Sequence, residues 1–317
     1  MINIALIGSG ELGSRHLQSL VGIDNANITV VEPSSTAVEI TRQRILDLNL
    51  DEFADVSFVD DIKKLPSEID FSVIATGAAP RLSILKILLK HASVKYLLLE
   101  KVLFQSIEDY AEAKLLIDSQ NVKVWVNCPR RMFEFYASLK LKLNKAKPML
   151  MSVNGGNWGL ACNAIHFIDI FSFLTDSKVL TVSTDELEQK IYPSKREGYI
   201  EVFGRLNVIF HNGHKLILNC TLDELPMDIM LTSSDGEYKI DEAKGNILLN
   251  GKHTSIDVLI KYQSELSRLV AEEALAFGQS KLTVFDEACE QHIPLIKSLL
   301  SFYNKSSNLE SSVLPIT

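Results

Sequence analysis

Cysteine is scarce in this sequence, and what there is does not cluster. Cys128, Cys162, Cys220 and Cys289 lie far apart and form no Cys-x-x-Cys pair. That pattern leaves no structural zinc framework and suits reduced thiols in a cytoplasm. No block of lysine and arginine occurs, and the formal net charge is -8. Phosphate backbones are bound through clustered cations, so no nucleic-acid partner is expected. Long apolar runs are missing as well. Stretches such as 82–89 fall far short of the roughly 20 apolar residues that span a bilayer. The first residues lack a basic segment, a long apolar core and a small-residue cleavage site, so no secretory signal is expected. A cytoplasmic protein is the expectation, with neither membrane nor nucleic acid as partner.

What is present is a globular composition, 46% hydrophobic and 23% charged over 317 residues. At about 150 residues per domain, two domains are expected. Through residue 127, short apolar strands alternate with helical segments. The strands read 2–7, 28–31, 56–59, 70–76, 95–99 and 122–126, with helices at 11–21, 81–91 and 107–119 among them. A helix after the second strand can open on a capping box made by Thr36 and Glu39. Strands that are apolar on both faces and alternate with helices form a parallel sheet covered on both sides. Residues 1–127 are therefore expected to be a doubly wound α/β domain.

The pattern then changes. Strands at 149–154, 199–203, 206–210, 215–221, 228–233 and 237–240 are separated by turns. Asn212-Gly213, Asp235-Gly236 and Asn250-Gly251 are hairpin signals, because a type I′ turn needs positive φ at both central residues. Residues 128–317 are expected to be an α+β domain on a mostly antiparallel sheet, serving substrate binding and oligomerisation. Helices at 262–277 and 286–303 close it and are expected to reach back to the first domain. Gly278 is suited to end the first of them, Pro294 to kink or break the second, and the tail from Ser306 to fray.

Gly8-Ser9-Gly10-Glu11-Leu12-Gly13 joins the first strand to the first helix. Gly8 permits the tight turn, Gly10 lets the backbone approach a pyrophosphate, and Gly13 lets helix and strand come close. The helix N-terminus offers unpaired N–H groups to the anion. Glu32 ends the second strand nineteen positions past Gly13, near where an acceptor for the ribose 2′-hydroxyl belongs. This is a Rossmann dinucleotide site, and an acidic Glu32 favours NAD(H) over NADP(H) without excluding the latter. Thr76 and Gly77 end the fourth strand, on the edge where the cofactor is expected. No metal-ligand cluster is visible.

Three stretches together resemble the Gfo/Idh/MocA family of sugar and polyol oxidoreductases. They are the glycine motif with its trailing Ser14-Arg15-His16, Glu100-Lys101-Val102 at the end of the fifth strand, and Cys-Asn-Ala-Ile-His-Phe-Ile-Asp at 162–169. The resemblance spans the whole chain. The family's Glu-Lys-Pro signature lacks its proline here, and the carboxylate usual one turn before the histidine is replaced around Cys162 and Asn163. The resemblance implies that Lys101 lies beside the nicotinamide and the reacting hydroxyl, with Glu100 at the cofactor and His166 as acid/base. His166 and Asp169 are three apart on one helical face, so Asp169 is a candidate orienting group. From the residues alone, Lys101 follows an apolar strand to the carboxyl edge of a parallel sheet, where ligands sit.

Asn127, Arg130, Trp158 and Asn163 are the further candidates for substrate contact. For Arg130 a domain-joining salt bridge is an equal reading, and for Trp158 a core position. The expected activity is interconversion of a secondary alcohol and ketone on a sugar-like or sugar-nucleotide substrate, as in surface-polysaccharide synthesis, by a homo-oligomer joined through the C-terminal sheet. Two other activities stay open: an NAD-using epimerase or eliminase with transient oxidation, and a non-catalytic dinucleotide sensor.

Overall fold

A computed structural model describes residues 1–48, 54–242, 246–254 and 262–317. The first elements in chain order are β1 (Ile2–Ile7), α1 (Glu11–Leu20), β2 (Ala26–Val31), α2 (Ser35–Leu46), β3 (Asp55–Val59), β4 (Glu68–Ile74), α3 (Ala78–His91), β5 (Ser93–Leu99), α4 (Ile107–Gln120) and β6 (Lys123–Val126). Next come α5 (Glu134–Lys142), β7 (Leu150–Gly156), α6 (Leu160–Thr175), β8 (Val179–Leu187), β9 (Tyr192–Pro193), β10 (Ile200–Glu201), β11 (Gly204–Phe210) and β12 (Lys215–Thr221). The last are β13 (Asp228–Ser233), β14 (Gly236–Asp241), β15 (Asn246–Leu249), β16 (Lys252–His253), α7 (Gln263–Phe277), β17 (Thr283–Val284) and α8 (Phe285–Ser307).

The chain divides into two units. The first comprises Met1–Phe104, Glu108–Pro129 and Lys261–Asp286, and the second Gln105–Ile107, Arg130–Ile260 and Glu287–Thr317. The segment holding α7 and β17 thus returns to the first unit, and α7 lies against α1.

In the first unit the sheet order is β3-β2-β1-β4-β5-β6-β17, parallel except for β17 on β6. Reversal of order between β1 and β4 makes a switch point, where the carboxyl ends of neighbouring strands part and a ligand can enter. Leu6, Val30, Phe71, Val73, Leu97 and Leu98 are fully buried in this sheet, as strands covered on both faces require. The cap of α2 is Ser34, whose side chain accepts from the Ala37 N–H at 3.3 Å. The expected Thr36–Glu39 box is therefore displaced by a serine that meets the helix two residues earlier.

The second unit carries an eight-stranded sheet, β16-β15-β14-β13-β7-β12-β11-β8, in which only β7 and β12 pair in parallel among the described strands. One face is buried along β7, β11 and β12, and the alternate residues are partly exposed. Helix α6 lies on the buried face, where Phe171 meets Phe210 edge-on at 5.1 Å. Asn212 and Gly213 take positive φ, as do Asn250 and Gly251. At the third signal the register pairs Ser233 with Gly236, so the turn centres on 234–235 and not on Asp235-Gly236.

Near the C-terminus, helix α8 continues through Pro294, so of the kink or break expected there the break does not occur. Glu290, whose carbonyl loses its helical partner there, is exposed, so water can take the bond. The tail does not fray, because Leu314 and Ile316 are buried and the Leu314 N–H donates to the Gln105 carbonyl at 2.9 Å.

Candidate active site

The glycine loop is shaped for close approach. Gly8 has φ +88°, and a Cβ at Gly13 would lie 2.0 Å from the Gly8 carbonyl oxygen. At Gly10 a Cβ would meet nothing within 4 Å, so the backbone faces open space. The Glu32 carboxylate accepts from the Ser9 N–H at 2.8 Å and the Ser34 N–H at 3.0 Å, which fixes it at the end of β2. Glu11 opens α1, where a pyrophosphate would meet a like charge. Arg44 offsets that charge by pairing with Glu11 at 2.5 Å, and its hydrogen bond holds the carboxyl below its ordinary pKa despite the small cost of burial. Leu12 is partly exposed in the first turn.

Gly77 caps α3 without a side chain. The hydroxyl oxygens of Ser9 and Thr76 are buried and meet no hydrogen-bond partner in the protein. Buried hydroxyls are ordinarily satisfied, and both line the loops that a dinucleotide would occupy. Open backbone at Gly10, an anchored acid at Glu32 and two unsatisfied hydroxyls fit a nicotinamide dinucleotide. Its affinity should be lost with a 2′-phosphate, which Glu32 would repel. Fluorescence titration is expected to show NADH binding at least about tenfold more tightly than NADPH, and tighter NADPH binding would overturn the role of Glu32.

Lys101 follows β5 and is half-buried. Arg81, which sequence reasoning missed, pins the neighbouring backbone. It is 1% exposed and donates to the carbonyls of Thr76, Val102 and Leu103. The loops after β4 and β5 are thereby tied to one guanidinium. Glu100 and Asn127, expected at cofactor and substrate, instead point inward: both are 3% exposed, and the Asn127 amide donates to Glu100 Oε1 at 2.5 Å. His16 Nε2 bonds the same oxygen at 2.8 Å.

In the second unit, α6 carries the other candidates. Its N-cap, Gly159, is left-handed at φ +79° and has no side chain to offer the first amides. Glu201, on β10, supplies the missing acceptor: Oε1 takes the Ala161 N–H at 2.5 Å and its own neighbour Val202 N–H at 3.0 Å. Burial pushes the Glu201 carboxyl up in pKa, against the lowering by these amides and by the Cys162 side chain. The chain therefore does place a carboxylate beside Cys162. It comes from forty residues away and carries no local signature. Glu201→Ala should cost about 1–2 kcal/mol, as for loss of a helix cap, read as a lower urea midpoint, with Glu201→Gln milder. No change in the alanine variant would remove the capping role.

His166 is half-buried on α6, one turn beyond Cys162. Asn163 donates to the Trp158 carbonyl at 2.7 Å, and Trp158 Nε1 donates to the Asn219 carbonyl at 3.0 Å. Trp158 also meets Phe167 edge-on at 5.6 Å, which places one face of the indole against the protein. Arg130 makes a two-pronged pair with Glu242 at 2.8 and 2.9 Å and covers the Phe167 ring at 4.2 Å. Arg130 thus forms a salt bridge, but one within the second unit and not the domain-joining one expected. Asp169 is 0% exposed and bound to Arg131, with Nε to Oδ2 at 2.9 Å. Lys101 and His166 fall in different units.

Among the described residues no group of His, Cys, Asp and Glu could hold a metal, and no helix is long and apolar enough to cross a membrane. Residues 2–128 match the sequence model of the Gfo/Idh/MocA group, an oxidoreductase family with an NAD-binding Rossmann fold. The N-terminal domain belongs to this family. Its parallel sheet is accordingly an NAD-binding Rossmann fold of an oxidoreductase. No curated protein sequence matches the chain.

Solved structures share the fold over nearly the full length. UDP-N-acetylglucosamine 3-dehydrogenase from Acidithiobacillus ferrooxidans is 13% identical with a TM-score of 0.71, covering 98% of this chain and 99% of its own. Myo-inositol dehydrogenase from Lactobacillus casei, in complex with NAD(H) and myo-inositol, is 14% identical with a TM-score of 0.67 and 95% coverage of each chain. Biliverdin reductase from Synechocystis, in complex with biliverdin and NADP+, is 13% identical with a TM-score of 0.72, covering 95% of this chain and 98% of that one.

Proposed function

We propose that the protein is an NAD(H)-dependent dehydrogenase that interconverts a secondary alcohol and a ketone on a sugar-like substrate, most simply a sugar nucleotide. The observation that carries this reading is Lys101 on the carboxyl edge of the sheet that holds the glycine loop and Glu32. Bound nicotinamide supplies the hydride acceptor or donor, and the rest is work for the chain's own residues. The Lys101 ammonium hydrogen-bonds the substrate oxygen and stabilises the negative charge that develops on it. His166 takes the hydroxyl proton during oxidation and returns it during reduction, for which an imidazole suits both directions. Asn163 and Trp158, at the start of α6, are the side chains we assign to substrate contact. Two of the structural relatives act on an aminosugar nucleotide and a cyclic polyol, which supports a polyhydroxylated substrate. The partly exposed face of the eight-stranded sheet is the surface we assign to a homo-oligomer.

The test is a screen of sugars and sugar nucleotides with NAD+, following NADH formation. A substrate that yields NADH in proportion to product supports the dehydrogenase. Product without NADH accumulation would replace it by an epimerase or eliminase that regenerates its cofactor in each turnover. NADH binding with turnover of no substrate would favour a dinucleotide sensor.

A further inference from the structure

The first turn of α1 carries an acid where an anion is to bind, and a cation reaches that turn from the next helix. Glu11 is the first residue of α1 and follows Gly10, which offers the helix no side-chain cap. Amides at such an uncapped start attract a phosphate, and a carboxylate beside them competes with it. Arg44, on α2, directs three hydrogen bonds at this turn. Its Nη2 donates to Glu11 Oε2 at 2.5 Å, and its Nη1 to the Ser14 hydroxyl at 2.5 Å and the Glu11 carbonyl at 3.3 Å. The Ser14 hydroxyl in turn donates to the same carbonyl at 3.0 Å. Thr41 lies three residues before Arg44, on the same face of α2. It is 0% exposed, and its hydroxyl donates to the Ser9 carbonyl at 2.9 Å, opposite the Ser9 N–H that Glu32 holds. Helix α2 thus grips the glycine loop at both ends, through Thr41 at Ser9 and through Arg44 at Glu11 and Ser14.

Helix packing alone does not call for this arrangement. Glu11 is 68% exposed and Arg44 21%, and an exposed ion pair contributes little to folding. The backbone of Arg44 is already tied to α1, because the Gln18 amide donates to its carbonyl at 2.9 Å. Arg15 also faces Glu11, but at 3.8 Å and 45% exposed, and it donates to the Gln18 side chain at 3.0 Å. What the Arg44 guanidinium does change is the field at the mouth of α1. The chain puts a negative charge in the turn that meets a pyrophosphate, then cancels it with a cation fixed by hydrogen bonds. We propose that Arg44 is an affinity-determining residue for the dinucleotide pyrophosphate: from α2 it neutralises Glu11 and keeps the first turn of α1 receptive to the anion. The proposal rests on the Rossmann dinucleotide site and not on the sugar-like substrate proposed above.

The experiment titrates NADH by fluorescence into the full-length protein and its variants. Glu11→Gln removes an exposed charge and leaves the Arg44 cation uncompensated, so NADH should bind about three- to tenfold more tightly at low salt. Arg44→Ala should weaken NADH binding by about tenfold. Adding Glu11→Gln to Arg44→Ala should bring affinity back to within about threefold of the parent protein, as two charges that act on each other require. Arg15→Ala should stay within about twofold of the parent. All these shifts should shrink in about 0.5 M salt, where the charges are screened. In competition with NADH, ADP-ribose should follow the same order across the variants, whereas adenosine, which lacks the pyrophosphate, should bind them all alike. Unchanged NADH affinity in Glu11→Gln overturns the proposal. So does a loss in Arg44→Ala that Glu11→Gln fails to restore, or one that adenosine shares, because a displaced loop would produce either. If Arg44→Ala does not fold, Glu11→Gln with the adenosine comparison decides the matter alone. The titration reads cofactor binding without turnover, so a protein that oxidises none of the sugars screened still tests the role of Arg44.

Discussion

Arg131→Ala is expected to lower folding stability by about 3–5 kcal/mol, measured by urea denaturation at neutral pH. The guanidinium is 7% exposed and holds two acids at once: NH2 lies 2.7 Å from Asp169 Oδ1 and 2.7 Å from Glu287 Oε1. Burial works against its charge, yet the two carboxylates outweigh that effect and push its pKa up. Truncation leaves Asp169, 0% exposed, as an uncompensated buried anion. Asp169→Asn should be milder, because Arg131 keeps Glu287 and the amide oxygen still accepts from the guanidinium. Replacing the pair together, as Arg131→Met with Asp169→Leu, should recover much of the loss, since well-packed apolar groups avoid both desolvation costs. A loss below about 1 kcal/mol in Arg131→Ala would mean that water reaches the pair and screens it.

The same pair changes the meaning of Asp169. From sequence it is an orienting partner for His166, three residues earlier on one helical face. In the folded chain both of its oxygens face Arg131, so its substitution acts first on stability. Any shift in a pH–rate profile from Asp169→Asn must be read only at temperatures where the variant is fully folded.

What could be read from the sequence follows a physical divide. The strands and helices of the first unit are legible because periodicity is local, and so is the glycine motif, whose residues are neighbours in the chain. Gly278 at φ +64° and Asn212-Gly213 are legible for the same reason. The misses are long-range. Arg81 reads only as the start of a helix until the loops after β4 and β5 close around it. Glu201 reads as a strand glutamate until it meets α6. The Leu314 and Ile316 tail looks polar from Ser306 onward, and only the docking surface around Gln105 explains its burial. Glu100 and Asn127 turn toward His16 and Gln263 of α7, a direction the sequence does not reveal because a strand end offers two.

Lys101→Ala is expected to cut kcat by about 10²–10³-fold on whichever substrate the screen returns, with NADH affinity within about twofold of the parent protein. The asymmetry follows from when the charge matters. In the ground state the substrate oxygen is neutral and the ammonium makes an ordinary hydrogen bond; as the carbon loses or gains a hydride the oxygen becomes an incipient alkoxide. A fixed cation there stabilises the transition state more than the bound substrate, so the loss falls on kcat. The grip we propose for the dinucleotide, by the glycine loop and Glu32, lies elsewhere and is not touched by the substitution. Lys101→Met, which keeps the apolar stem, should behave as the alanine variant does; that result separates charge from packing. Lys101→Arg should recover only a small part of the rate, because a planar fork cannot present its charge at the single point an ammonium occupies. A primary isotope effect from substrate deuterated at the reacting carbon should rise in Lys101→Ala as hydride transfer becomes rate-limiting. If kcat stays within about threefold of the parent while the protein still turns over its substrate, the oxygen is polarised by another group and Lys101 leaves the mechanism.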